Sequence, residues 1–180
     1  MAGWVALLRG INVNGITIAM TDLQDVFRAL GCTDVRTVLA SGNVLFTSGE
    51  TDAAALKADI ERALSDTFGY QAWIVLRGVA TLDSVVRAFP FDAERDGWHP
   101  YVVFGSNQSP LDELIDAAGE PDPETEQVLP GVGVLYWQVR RSIGINSPFS
   151  KLSGKARYRS TTTTRNLRTL NKLIASAPGA

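Results

Sequence analysis

The stretch VRTVLASGNVLFT, residues 35–47, decides the fold. Two runs rich in β-branched and apolar residues, Val35 to Leu39 and Val44 to Thr47, flank the turn-forming sequence Ala40-Ser41-Gly42-Asn43. Strand-forming runs separated by a short segment that contains glycine are typical of a β-hairpin. The stretch therefore predicts two adjacent antiparallel strands in the first half of the chain.

The segments on either side of this hairpin complete an order of strands and helices. A helix is predicted before it, because apolar residues recur at helical spacing up to Leu30 and Gly31 follows as a stop. A second helix is predicted after it, from about Asp52 to Phe68. The first strand of this half is predicted at 4–8 and the last at 72–76. The resulting βαββαβ order is that of a ferredoxin-like fold, in which two helices cover one face of a four-stranded antiparallel sheet.

The second half of the chain shows a variation on this pattern. The predicted elements are helices at 79–88 and 110–118, a strand at 101–104, a hairpin at 126–139, and helices after Pro148 and from about Thr164 to Ala177. We therefore expect an α+β protein with two ferredoxin-like (βαββαβ-type) halves, residues 1–78 and 79–180, and extra C-terminal helices. Because Trp4 to Leu8 is apolar at every position, both faces of the first sheet should be covered, the second by the other half or by a partner subunit.

The composition is that of a globular protein. The chain has 180 residues, of which 45% are hydrophobic, enough for an ordinary core. The longest apolar runs fall far short of the roughly 18 residues of a membrane span, and the N-terminus lacks the pattern of a secretory signal. Cys32 is the only cysteine, so no internal disulfide can form. These features predict a cytoplasmic protein without a membrane-spanning segment.

The net charge of −2 hides an uneven distribution. Residues 127–180 contain nine Lys or Arg and no acid, whereas residues 1–126 contain the other eight together with all 19 Asp and Glu. Such asymmetry is typical of a protein with an anion-binding end, or of a protein whose two halves attract each other on folding.

The predicted C-terminal helix separates its cations from its apolar residues. At about 100° per residue, Arg165, Arg168 and Lys172 fall on one side and a leucine face falls on the other. This basic stripe is either a surface for phosphates or only the solvated face of an amphipathic helix. Asn166 falls toward the packed side, where we expect its amide to bond to loop backbone near 41–43.

The residues just before this helix add further candidates. Lys155, Arg157 and Arg159 alternate, and an extended chain would project all three to one side. Thr164 would stand at the helix start, where free backbone N–H groups favour an anion, although a threonine there is also an ordinary cap.

Two loops in the first half carry polar residues that could line a cleft. Arg9 and Asn12 follow the first strand, and Asn43 lies in the turn of the hairpin. The same residues are also ordinary turn chemistry. Neither loop has the spacing of a phosphate-binding Walker loop or of a dinucleotide fingerprint.

The sequence predicts no metal site and no cofactor. His99, the sole histidine, has no second histidine or cysteine nearby, and a dyad with Cys32 is disfavoured. The acids from Asp112 to Glu126 are typical of a solvated acidic stretch. The strand Val44 to Thr47 lacks the basic and aromatic pattern with which RNA-recognition modules stack bases.

Several segments carry a resemblance to a known family. They are VALLRGINV at 5–13, MTDL at 20–23, Leu30-Gly31, SGNV at 41–44, TRN at 164–166 and Lys172-Leu173. With these segments the chain resembles Domain of Unknown Function family 1697 over nearly its whole length. The resemblance implies a fold of two ferredoxin-like halves and implies no activity.

Together these residues predict a protein that binds an anionic ligand, either nucleic acid or a phosphorylated small molecule. The ligand would be held by Arg165, Arg168 and Lys172, with Lys155, Thr164 and Arg9 in support. One alternative is an enzyme acting on a phosphorylated substrate, with Arg9, Asn12 and Asn43 in its cleft. Another is a protein–protein interaction module whose basic face meets an acidic surface, such as that of a second copy in a homodimer.

Overall fold

A computed structural model describes residues 1–9, 16–39 and 42–179 of the chain. These residues divide into two compact units. The first comprises Met1–Asp83 together with Asn171–Ala180, and the second comprises Ser84–Leu170.

The first unit contains a four-stranded antiparallel sheet. Its strands are β1 (Ala2–Arg9), β2 (Thr33–Thr37), β3 (Asn43–Ser48) and β4 (Trp73–Gly78), in the spatial order β2-β3-β1-β4. The hairpin predicted from residues 35–47 is confirmed as the pair β2 and β3, in which Arg36 lies opposite Leu45. The central strands are β1 and β3, and the outer strands are β2 and β4. This is the ferredoxin-like sheet order expected for this half.

Two helices cover one face of this sheet. Helix α1 spans Met20–Ala29 and helix α2 spans Ala53–Phe68. The side chain of Asp52 accepts hydrogen bonds from two backbone N–H groups in the first turn of α2. Gly69 ends that helix in the left-handed conformation, with φ of 70°, which a residue without a Cβ adopts at no steric cost.

The sheet of the first unit is buried on both faces, as its uninterrupted apolar strands predict. Ala6 and Leu8 of β1 pack into a core with α1 and α2, while Val5 and Leu7, which point the other way, are each only 1% exposed. The core is completed by buried residues of both helices and the other strands, among them Leu23, Phe27, Phe46, Ile60, Leu64 and Ile74.

The second unit repeats the topology of the first. Helix α3 (Val79–Arg87) spans the boundary between the two units. It is followed by β5 (Trp98–Gly105), α4 (Gln108–Ala118), β6 (Glu126–Pro130), β7 (Val134–Arg140) and β8 (Thr162–Asn166). The four strands are antiparallel and lie in the order β6-β7-β5-β8, the same arrangement as in the first sheet. The α+β fold of two ferredoxin-like halves is therefore confirmed.

The C-terminal segment departs from the sequence prediction at two places. Residues 162–166 form strand β8 beside β5, not the start of the last helix, because consecutive β-branched threonines favour an extended chain that can pair with a free sheet edge. Helix α7 accordingly begins later and spans Leu167–Ala175.

The segment before β8 is helical, so the condition under which Lys155, Arg157 and Arg159 would share one side, an extended chain, is not met. A short 3-10 helix at Gly144–Asn146 precedes α5 (Pro148–Ser153) and α6 (Ala156–Arg159). Within one helical turn, Arg157 and Arg159 do not share the side that strand alternation would give them. Throughout the described residues, no helix combines the length and apolarity needed to cross a bilayer.

Candidate functional site

Strand β5 organises the candidate site at one end of the second sheet. Residues two apart in a strand point to the same face, so His99, Tyr101 and Val103 share the face that packs against α4 and α5. Tyr101 lies opposite Trp137 of β7 on one side and opposite Asn166 of β8 on the other. His99, half-buried, is the last residue of this row toward the start of the strand.

Arg141 reaches the face of His99 from the end of β7. Its backbone N–H donates a hydrogen bond of 2.9 Å to the carbonyl of Gly97, which extends the strand pairing by one residue. Arg140 lies opposite Trp98 on the other face, where its guanidinium is 5.5 Å from the centroid of the Trp98 ring. Because side chains alternate, Arg141 turns toward His99.

Arg168 reaches the same place from the other side. Asn166 pairs with Tyr101 and α7 begins at the next residue, so Arg168 lies in the first turn of the helix, near the end of β5 that contains His99. The charges of Arg141 and Arg168 both lie close enough to His99 to oppose its protonation. Three elements of the second unit thus place His99, Arg141 and Arg168 at the same end of the sheet.

The two guanidinium groups of this cluster lack an acidic partner among the residues that the structure describes. Arg141 and Arg168 are exposed, and no carboxylate of the described residues forms an ion pair with either. Other cations of the basic segment behave differently, since Arg140 pairs with Glu124 at 3.6 Å and Arg157 pairs with Glu113. Two positive charges in contact with solvent and lacking a counter-charge favour an anion from solution.

The pKa of His99 reflects its surroundings. Burial lowers it from the ordinary value of 6.5, and the charges of Arg141 and Arg168 lower it further. His99 is therefore predominantly neutral near pH 7, with one ring nitrogen free to accept a proton.

Glu126 lies on β6 opposite Val139, the residue of β7 that lies opposite His99. It is a structural carboxylate with a fixed position. It is 0% exposed, which corrects its assignment to a solvated acidic stretch. One oxygen accepts a hydrogen bond of 3.0 Å from the indole N–H of Trp137, and the other accepts one of 3.0 Å from the backbone N–H of Phe149. A buried charge is tolerated when hydrogen bonds satisfy it, and here they tie β6 to β7 and to α5.

Lys155 lies at a second feature of this unit, a cavity of about 340 Å³ between α4 and α5. Phe149 and Leu152 give it an apolar wall, and Lys151 and Lys155 contribute to its lining. Lys155 is exposed and holds the N-cap position of α6.

Thr164 and Arg165 are separated by the strand that contains them. Thr164 lies opposite Val103 on the helix-covered face, whereas Arg165 lies opposite Val102 on the other face. The guanidinium of Arg165 donates to the hydroxyl of Thr163 at 2.7 Å and to the carbonyl of Thr164. The three-residue helical stripe predicted from Arg165, Arg168 and Lys172 is wrong in this respect, because Arg165 belongs to β8.

Asn166 is the cap of the last helix. Its side-chain oxygen accepts a hydrogen bond of 2.9 Å from the backbone N–H of Arg168 at the start of α7. This cap fixes the first turn of the helix, where Arg168 lies. The predicted bond to the loop near 41–43 involves Ser41, which lies outside the described residues.

The remaining predicted residues lie in the first unit. Arg9 ends β1, half-buried and opposite Trp73. Asn43 is 0% exposed, and its amide donates to the carbonyl of Val38 at 2.9 Å across the hairpin loop. Lys172 is exposed on α7. Asn12 lies outside the described residues.

Metal binding and thiol chemistry find little support in the described part of the chain. Within it, no group of three or more His, Cys, Asp or Glu side chains is placed to hold a metal ion. Cys32 is buried, and burial raises the pKa of its thiol, which opposes formation of the nucleophilic thiolate.

Fold and site together define the class: an α+β protein of two ferredoxin-like units, the second of which carries an imidazole and two unneutralised guanidinium groups at one end of its sheet. Residues 1–136 match the family model described as protein of unknown function, DUF1697, and the chain belongs to that family. This confirms the resemblance found in the sequence.

The fold also occurs in solved structures. A conserved bacterial protein, SP0830, from Streptococcus pneumoniae is similar with a TM-score of 0.81 and 22% identity, covering 97% of this chain and 98% of that chain. At this identity the likeness concerns the fold alone. An unknown protein from Galdieria sulphuraria has a TM-score of only 0.29 and 11% identity, over 97% of this chain and 88% of that chain, which is too low to indicate the same fold. No curated protein matches the chain.

Two members of the cation cluster were missed as ligand-binding residues in the sequence. His99 was considered only as a metal ligand or a base, because the strand was predicted to begin after Pro100, at Tyr101. Had β5 been extended to Trp98, alternation along the two strands would have placed His99 and Arg141 on one face.

Proposed function

We propose that the protein binds an anionic ligand, either a phosphorylated small molecule or nucleic acid, through Arg141 and Arg168. The observation that carries this proposal is the convergence of two exposed guanidinium groups on one end of the second sheet with no carboxylate partner among the described residues. Guanidinium groups present planar forks of N–H donors that match the oxygens of phosphate. Of the residues predicted from the sequence, Arg168 is retained, and Arg141 joins it.

The scaffold supports this role because the two arginines are held by different rigid elements. Arg141 is fixed by the backbone hydrogen bond to Gly97, and Arg168 by the cap that Asn166 provides. Sites built on strand and helix ends keep their geometry better than sites on long loops. Arg9, Asn12, Asn43, Lys155, Thr164, Arg165 and Lys172 stay predictions from the sequence.

A thermal-shift screen tests the proposal. Wild-type protein is heated with methyl phosphate, pyrophosphate, nucleotides, and short RNA and DNA, each at low and high salt. A ligand at 100 times its Kd stabilises the folded protein by about 2.7 kcal/mol, which raises Tm measurably. A polymer that binds through its phosphates should lose its effect steeply with salt.

Matched variants locate the binding. Arg141→Gln and Arg168→Gln should each reduce the shift, whereas Arg159→Gln, which removes the same charge from an exposed position on α6, should preserve it. If no phosphate compound or nucleic acid raises the Tm of the wild type, the proposal is wrong. Equal losses in all three variants would show a general charge effect and not a site.

A further inference from the structure

The single histidine of the chain occupies the centre of the cation cluster. On its own strand His99 is followed by Tyr101, whose ring centroid lies 5.9 Å away. From β7 it faces Val139, directly opposite, and Arg141. Arg168, in the first turn of α7 beyond the end of β8, lies close enough for its charge to act on His99.

Glu126, the acid that lies across the sheet from His99, does not offset the positive charge of the cluster. Glu126 lies beyond Val139, one strand further from His99, and both of its oxygens accept hydrogen bonds from Trp137 and Phe149. On the opposite face of the sheet lie Trp98 and the cations that pack on it, Arg95 and Arg140. Asp96, exposed and three residues before His99, forms no ion pair with Arg141 or Arg168 among the described residues. The charges that act on His99 are thus those of the two arginines.

Among the three groups of the cluster, only His99 can give up its charge near neutral pH. Without a ligand, the imidazole avoids repulsion from the two guanidinium groups by staying neutral, consistent with its lowered pKa. A ligand with two negative charges reverses this balance, because it attracts a third cation and accepts a hydrogen bond from the imidazolium N–H.

We propose that His99 is the third cation of this site, that it binds in its protonated form, and that the ligand is therefore a terminal phosphate dianion whose binding takes up a proton. This inference rests on the proposed function. A phosphate monoester carries about −1.5 to −2 charges at pH 7 and offers three acceptor oxygens, one for each cation. A phosphodiester, such as the backbone of nucleic acid, carries one charge and recruits the third cation less strongly.

An NMR pH titration tests the inference directly. Because His99 is the only histidine, the imidazole C2–H signal reports its pKa without assignment by mutation. The titration is run on the full chain alone, with methyl phosphate and with dimethyl phosphate, which form a monoester and diester pair of similar size. We expect the pKa of His99 to rise by about one unit with methyl phosphate, which corresponds to about tenfold tighter binding to the protonated protein. Dimethyl phosphate should cause a smaller rise.

Variants separate this inference from the proposed function. Arg168→Gln should raise the pKa of His99 in the free protein and shrink the effect of methyl phosphate, while Arg159→Gln should leave both unchanged. His99→Gln should still bind methyl phosphate, with a higher Kd than the wild type. The ratio of the two Kd values should grow as pH falls. The second ionisation of methyl phosphate affects both proteins equally, so it does not change this ratio.

The outcomes are distinct. If methyl phosphate binds by calorimetry but leaves the pKa of His99 unchanged, the inference is overturned and the proposed function stands. If dimethyl phosphate raises the pKa as much as methyl phosphate, the assignment of a dianion is overturned. If neither compound binds the wild type, and the same holds for pyrophosphate and nucleic acid, both proposals fall.

Discussion

At the scale of single residues, Glu126 shows how burial changes the meaning of a sequence feature. In the sequence it is the last member of an acidic stretch, yet its carboxylate is buried and accepts hydrogen bonds from Trp137 and Phe149. Nothing local marks it, because both donors come from residues more than ten positions away. Its role follows only from the pairing of β6 with β7 and the position of α5.

Replacing Glu126 should therefore cost stability. Glu126→Gln keeps the shape but turns an acceptor into an N–H donor that faces another donor, leaving at least one buried polar group unsatisfied. We expect the free energy of unfolding to fall by about 1–3 kcal/mol, measured by urea denaturation. Glu124→Gln is the control, since Glu124 is 82% exposed and its pair with Arg140 contributes at most about 1 kcal/mol. Equal effects in the two variants would contradict this account.

The lowered pKa of His99 predicts a particular dependence of stability on pH. Between its ordinary value of 6.5 and its lower value in the folded protein, the unfolded chain binds more protons than the folded one. The free energy of unfolding of the wild type should therefore fall, relative to that of His99→Gln, as pH decreases through about 6.5. Urea denaturation of both proteins between about pH 7.5 and about pH 5.5 measures this difference. A parallel course of the two curves would show that His99 is not perturbed.

At the scale of elements, a helix is predicted best from local sequence when capping or stop residues mark both of its ends. Helix α2 was predicted over nearly its full length, because Asp52 caps its start and Gly69 ends it. Residues 162–166 carried conflicting signals, since a threonine before a leucine-rich helix resembles a cap while four threonines in a row favour a strand. Pairing with β5 decided the conflict, and such a long-range contact is not visible in the local sequence.

Gly69 allows a direct test of the end of α2. Gly69→Ala places a Cβ on a residue with φ of 70°, although no atom lies within 4 Å of that Cβ, so only the backbone conformation is penalised. We expect a loss of about 1 kcal/mol in the free energy of unfolding. Gly49→Ala, at a position with equal space and no left-handed φ, should change stability by less than half as much. Similar losses in both variants would rule out conformational strain as the cause.

Asn166 joins β8 to α7 and so supports Arg168. Asn166→Ala removes the acceptor for the backbone N–H of Arg168 and should destabilise the protein by about 0.5–2 kcal/mol, whereas Asn166→Asp should retain the cap. Thermal unfolding measures both variants. An alanine variant as stable as the wild type would show that the first turn of α7 does not depend on this cap.

At the scale of the whole molecule, the chain uses one topology twice. The βαββαβ order of residues 1–78 was predicted because strands and helices alternate there with clear boundaries, although β1 extends beyond the predicted 4–8 at both ends. The second unit has the same sheet order, but its last strand was assigned largely to a helix, and its first strand was predicted to begin three residues late and to end one residue early. These two errors affected the prediction of the candidate site most, because His99 and Arg168 lie in or next to the misassigned segments.

The uneven charge of the chain also has a mixed explanation. Arg140 and Arg157, in the acid-free segment, pair with Glu124 and Glu113 from the acidic segment, as expected if the two attract each other on folding. Arg141 and Arg168 form no such pair within the described residues. The attraction between the two segments therefore accounts for part of the asymmetry. An anion-binding role stays a proposal for Arg141 and Arg168.

The central claim is that Arg141 and Arg168 form a specific anion site, and isothermal titration calorimetry with pyrophosphate tests it most directly. Losing one charge-assisted hydrogen bond costs about 1.5–3 kcal/mol, so Arg168→Gln should raise the Kd by about tenfold or more. Arg159→Gln should leave the Kd within about twofold of the wild-type value, as expected for a distant exposed charge. A Kd that is the same in the wild type and in Arg168→Gln would contradict the account.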